Sequence, residues 1–115
     1  MDEKKIKLLL REFATNRDWK KFHIPKNLVC ALSVEASELV EIFQWDNYTK
    51  SEIQQNKHLN MKISDEVADI MLYLIRFTDI VGIDIERVCL QKIKKNEKKY
   101  PIHLSKGKST KYNEI

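Results

Sequence analysis

Apolar residues recur at helical spacing along most of the chain. Ile6, Leu9, Leu10 and Phe13 mark a first helix from about Glu3 to Asn16, because positions three and four apart share one helix face. Pro25 suits a first helical turn, where its missing N–H has no intrahelical partner anyway. A second helix is therefore predicted from about Lys26 to Gln44. A polar linker follows from Asp46 to about Asn60, with a short helix starting near Ser51. Ile63, Val67, Ile70, Leu74, Phe77 and Val81 stripe a third helix from about Met61 to Val81. Gly82 stops it, being suited to the left-handed C-terminal turn. Asp84 is a good N-cap for a fourth helix, Ile85 to about Lys99, which Pro101 ends. The expected fold is all-α, a four-helix bundle. Residues 1–101 form its single domain, and residues 102–115 form an extended polar tail with three Lys.

Composition narrows the class. The chain has 115 residues, a natural length for one domain. Two Gly and two Pro are too few for the many tight turns of a sandwich or barrel. No apolar run approaches the roughly 18 residues that span a bilayer, so no membrane role is expected. Met1-Asp2-Glu3-Lys4 lacks the apolar core of a signal peptide. Two Cys, at 30 and 89, make no disulfide framework. A reduced, cytoplasmic protein is the expectation. The net charge of +4 permits an anionic ligand but is too mild to demand nucleic acid.

The acids carry the chemistry. On a wheel of 100° per residue, Leu28, Leu32 and Leu39 fall within about 40° of one another, and Glu35 falls about 20° from Leu28. Glu38 lies about 60° further round. On the third helix Glu66 flanks the apolar stripe with Tyr73 beside it, and Asp69 lies about 60° beyond. One acid pair at i, i+3 ordinarily marks a solvated face. Two matched pairs beside a packing seam make four carboxylates converge, at a cost of several kcal/mol per desolvated ion. A divalent cation removes that cost, and hard cations such as Mg²⁺ or Mn²⁺ prefer oxygen ligands. Di-iron bundles use Glu-x-x-His. Here both motifs hold only carboxylates, and His23, His58 and His103 fit no zinc spacing. A Mg²⁺ held by acids on one side takes its other oxygens from water and phosphate, which suggests phosphate-ester or phosphoanhydride chemistry.

On the fourth helix Cys89, Lys92, Asn96 and Lys99 share a face. Lys92 and Lys99 could neutralise phosphate and Asn96 could hydrogen-bond a base or sugar, although Lys near a helix C-terminus also simply complements the dipole. Trp19 and Trp45 could stack on a nucleobase or cap a small core. His23 lies close to Trp19 in the chain, where a hydrogen-bonded loop residue is the ordinary reading.

Glu35-x-x-Glu38 followed by Glu66-x-x-Asp69 resembles the metal signature of the MazG-like, all-α nucleoside triphosphate pyrophosphohydrolases. The tract Lys92 to Pro101 resembles the motif that closes their domain. Arg17-Asp18-Trp19, Phe22-His23, Pro25-Lys26-Asn27-Leu28, Phe43-Gln44-Trp45 and Tyr100 to Gly107 resemble the dCTP pyrophosphatase branch. The resemblance implies a bundle that dimerises, often as a dimer of dimers. It implies Mg²⁺ on Glu35, Glu38, Glu66 and Asp69; within that cluster Glu38 and Glu35 are read as the catalytic acids, Glu38 to hold or deprotonate the attacking water. It implies hydrolysis of a (deoxy)nucleoside triphosphate between the α and β phosphates. Trp19 and Trp45 match base-contacting aromatics, with His23 counted among the substrate-binding residues. Lys92, Asn96 and Tyr73 match contacts to triphosphate and sugar, and Lys99 and Tyr100 match the closing motif. Two other readings stand beside it. One is a non-catalytic binding bundle with a structural cation. The other, ranked last, is nucleic-acid binding by the Lys-rich fourth helix and tail, since seam acids would repel a phosphate backbone.

The run Ile70-Met71-Leu72-Tyr73-Leu74-Ile75 leaves the third helix little polar surface. A helix apolar nearly all round is buried on several sides, and a bundle this small must find part of that cover in another subunit. Light scattering is expected to return two or four subunits; a stable monomer of 13.7 kDa would contradict the interface.

Overall fold

The computed structural model describes residues 1–114. The described residues hold six α-helices and two short 3-10 turns, with no strand among them, so the all-α class holds. The helices are α1 Glu3–Asn16, α2 Pro25–Ile42, α3 Lys50–Gln55, α4 Lys57–Val81, α5 Ile85–Lys99 and α6 Ile102–Ser105. The chain divides into two compact units, Met1–Gly82 and the residues from Ile83 onward.

Three of the four helices of the first unit start where a side chain satisfies an orphan N–H, and the fourth, α2, starts on a proline. The Asp2 carboxylate accepts from the Lys5 N–H at 3.1 Å and opens α1. Pro25 occupies the first turn of α2. Thr49 opens α3, its hydroxyl accepting from the Glu52 N–H at 3.2 Å and donating to the Glu52 carboxylate at 3.1 Å. Asn56 opens α4, accepting from the Leu59 N–H at 3.1 Å. That cap starts α4 four residues before the predicted Met61. The polar Lys57-His58 pair hid the extra turn, because it adds nothing to the apolar stripe. Gly82 closes α4 at φ 75°, a left-handed conformation that glycine adopts without a Cβ clash. Helix α2 ends at Ile42, two residues before the predicted Gln44.

Helix α4 is the axis of this unit: α2 packs along it, and α1 and α3 pack on it more lightly. The fully buried side chains come from three helices, Ala14 of α1, Leu28 of α2 and Ile75 of α4. So small a core leaves much apolar surface open on the single chain. Val34 of α2 is 56% exposed and Val67 of α4 is 50% exposed.

In the second unit Asp84 caps α5 through the Arg87 N–H at 3.1 Å, and Lys98 and Lys99 lie in its last turn. The segment predicted as an extended tail contains the short helix α6 and a 3-10 turn at Tyr112–Glu114. Among the described residues no helix is long and apolar enough to cross a membrane.

Ile75→Ala would leave a void where no solvent reaches. Its expected cost is about 2–5 kcal/mol, read as a lower denaturant midpoint at unchanged slope. A loss below about 1 kcal/mol would show that Ile75 is not central to the core.

Candidate functional site

The α2–α4 contact brings the predicted acids together. Glu35 and Glu38 from α2 and Glu66 from α4 each offer a carboxylate oxygen, and these atoms lie within 4.8 Å of one another. Spacing of three residues puts the two acids of α2 on neighbouring positions of one face. Glu35 and Glu66 are half-buried. Their Oε2 atoms are sealed from solvent, and no donor reaches either. Such atoms are costly unless a partner arrives. An all-oxygen donor set with two orphaned lone-pair sites fits a hard divalent cation.

The crowding shows in the protonation of the acids. The Glu35 carboxyl is pushed up to about 7. The facing Glu66, with which a protonated Glu35 can hydrogen-bond, is the largest cause; burial comes next, then Glu38 and the charge of Asp69. Burial is the largest cause holding Glu66 above its usual range.

Asp69 lies outside the close trio, though its charge acts on both Glu35 and Glu66. It lines a neighbouring cleft of about 280 Å³. Leu10 and Phe13 of α1, Trp19 and His23 of the α1–α2 connection, and Leu72, Tyr73 and Arg76 of α4 complete the walls. Asp69 therefore links the acid cluster to an aromatic pocket. Glu38 and Glu66 also face a more open recess of about 460 Å³ with Glu41, Ile42, Lys62 and Asp65.

The connection between α1 and α2 is shaped to set Trp19. Asp18 stands at φ 54°, a left-handed turn that Asp tolerates better than most residues, and the Trp19 N–H donates to the Ala14 carbonyl at 2.9 Å. The indole meets Phe13 edge-on at 5.6 Å and His23 edge-on at 6.4 Å between ring centres. Arg17 stacks over the Phe13 ring at 3.6 Å. Arg76 is 5% exposed and donates from Nε to His23 Nδ1 at 3.1 Å. Burial, then the Arg76 charge, holds His23 below its ordinary value. Arg11 grips Asp79 with two hydrogen bonds, at 2.8 and 2.6 Å, and is the main cause of its depressed pKa.

Of the predicted substrate-binding residues, Trp19, His23 and Tyr73 share this cleft. Trp45 does not line it; it sits past the end of α2 and is 86% exposed. Lys92, Asn96, Lys99 and Tyr100 belong to the second unit, all exposed. There Lys99 Nζ lies 4.8 Å from the centre of the Tyr112 ring, which also meets Tyr100 edge-on at 6.2 Å. Sequence reasoning missed Arg76, Phe13 and Leu72 as cleft residues. Arg76 could have been found, since it follows Asp69 by seven residues and Tyr73 by three and so shares their helix face. Phe13 reads as ordinary core from its spacing.

A folded-state carboxyl raised from about 4.5 to about 7 keeps a proton that the unfolded chain releases. Its contribution to stability is therefore lost as pH rises through that window. In chelator, Glu35→Gln is expected to unfold at nearly the wild-type temperature near pH 4.5 and at a clearly higher one near pH 8. A gap between variant and wild type that is the same at both pH values would refute the strain on Glu35.

Residues 30–115 match the MazG-like family. Over 112 residues, 96% of its length, the chain is 37% identical to dCTP pyrophosphatase 1 of Rattus norvegicus. Over 111 residues it is 35% identical to dCTP pyrophosphatase 1 of Homo sapiens. It spans 65% of the length of these curated relatives. Its fold is similar to the crystal structure of a pyrophosphatase from Archaeoglobus fulgidus, with a TM-score of 0.73 and 39% identity, covering 81% of this chain and 86% of that one. With acid pairs at matching spacing on two packed helices and a family match across most of its length, the chain belongs to the MazG-like family.

Proposed function

We propose that the chain is a Mg²⁺-dependent nucleoside triphosphate pyrophosphohydrolase. It cleaves between the α and β phosphates of a (deoxy)nucleotide, dCTP or a modified cytosine nucleotide, and yields the monophosphate and pyrophosphate. The observation that carries this reading is the trio Glu35, Glu38 and Glu66, with two buried, unpartnered oxygens, beside an aromatic cleft that Asp69 joins to it. The relatives named dCTP pyrophosphatase 1 support the substrate class.

Glu35, Glu38, Glu66 and Asp69 would hold Mg²⁺, with Mn²⁺ as a substitute. When bound, the cation polarises phosphoryl oxygens, lowers the pKa of water and screens the triphosphate. Glu38 and Glu35 are the catalytic carboxylates. Glu38 takes the proton of the attacking water as its oxygen bonds to the α phosphorus and pyrophosphate leaves. Trp19 and Tyr73 offer flat walls for a base, and the surrounding apolar groups exclude water from it. On the family resemblance, Trp45 is assigned to the base, Lys92 and Asn96 to the triphosphate and sugar, and Lys99 and Tyr100 to a supporting role. The protein is proposed to act as a homodimer or dimer of dimers, which the exposed Val34 and Val67 favour.

Purified protein with Mg²⁺ should convert a narrow set of dNTPs, including dCTP, to monophosphate and pyrophosphate, resolved by chromatography. Chelator should stop the reaction and Mn²⁺ restore it. Glu35→Gln should lose at least about 100-fold in kcat, the scale at which one acid–base or electrostatic group acts, while remaining folded. Nucleotide bound without turnover by the wild type would instead make the acids a structural site in a binding module.

A further inference from the structure

The cleft contains an interaction that the reaction as described does not use. Arg76 is a guanidinium only 5% exposed, and its Nε donates to His23 Nδ1 at 3.1 Å. A guanidinium has donors and no acceptor, so Nδ1 must offer its lone pair. The ring proton of His23 then belongs on Nε2. Nε2 takes no partner among the described residues and is not sealed from solvent. On the other side of Arg76, Nη1 lies 3.5 Å from Asp79 Oδ2. Asp79 is itself gripped by Arg11 through bonds of 2.8 and 2.6 Å. The order Arg11, Asp79, Arg76, His23 thus runs from the surface of α1 to the wall of the cleft. Its charges alternate until it reaches a neutral imidazole. A buried guanidinium in this position needs a reason beyond packing, since an apolar side chain of like volume would fill the space without a desolvation cost.

We propose that Arg76 is a positioning residue of the nucleobase pocket: it fixes His23 as the Nε2–H tautomer, so that the cleft presents a hydrogen-bond donor. The base is then taken through an acceptor on its edge, a ring carbonyl or an unprotonated ring nitrogen. The opposite tautomer would present an acceptor and select an exocyclic amine instead. This inference rests on the cleft being the base pocket of the hydrolase proposed above.

Two near-isosteric variants separate the tautomer from charge and volume. Arg76→Met puts a methyl where Nε stood, and Arg76→Gln puts an amide N–H there. Nitrogen-15 NMR of the substrate-free protein should show His23 as Nε2–H in the wild type and in Arg76→Met as a mixture of tautomers; Arg76→Gln should stay close to wild type. In turnover, Arg76→Met should raise KM for dCTP about three- to tenfold, the range of one neutral hydrogen bond, with kcat little changed. KM for deoxyribose triphosphate, which lacks the base, should not move. Arg76→Gln should recover most of the loss. An Nδ1–H tautomer in the wild type overturns the inference even if Arg76→Met does not fold. So does an equal rise in KM for the baseless substrate, or a Gln variant no better than Met. If the wild type does not turn over dCTP, the hydrolase reading fails and the base pocket with it, while the NMR spectrum still reports separately on what Arg76 does to His23.

Discussion

The contact between α2 and α4 governs this protein because it forces carboxylates out of water. Leu28 of α2 and Ile75 of α4 are themselves fully buried. Glu35 and Glu66 are carried into its edge by the same helix register. They cannot be withdrawn without also withdrawing the leucines and isoleucines that share their faces. Hydrophobic burial therefore holds in place an electrostatic arrangement that is unfavourable by itself. The raised carboxyl of Glu35 and the unpartnered oxygens of Glu35 and Glu66 are two signs of the same strain. A site that concentrates anions in this way is prepared for a cation, because the cation repays a desolvation already imposed by packing.

The aromatic cleft is built on a different principle. Its walls come from α1, from the turn after it, and from α4. The turn is set by local backbone chemistry: a left-handed Asp18 and the bond from Trp19 to the carbonyl of Ala14. Here the polar groups are paired rather than orphaned. Arg11, Asp79 and Arg76 pair in sequence and Arg76 holds His23 Nδ1, so this pocket is defined in its hydrogen-bonding sense. Asp69 belongs to both places, lining the cleft while its charge reaches the acid trio. A ligand with an anionic end and a flat, partly polar end matches that juxtaposition.

Much of this was legible in the sequence, and the reasons differ between residues. The helix over Glu3–Asn16 follows from apolar periodicity, and that over Ile85–Lys99 from the Asp84 cap and the stop at Pro101, all of which are local. The acid pairs were legible because helix geometry alone relates position i to i+3 and to the apolar stripe. Helix α4 starts four residues before the predicted Met61, since its first turn is polar and the Asn56 cap also ends α3.

What the sequence by itself determined is the set of helices, their buried faces, and the presence of acids on those faces. Each of these is a property of one segment, readable from spacing. The tertiary structure alone decided which acids meet, and it joined Glu35, Glu38 and Glu66 while turning Asp69 toward the cleft. It also decided that Arg76 reaches His23, across 53 positions of chain. Contacts between segments depend on how two helices cross and on which rotamers the packing allows, and neither quantity is written in any single stretch of residues.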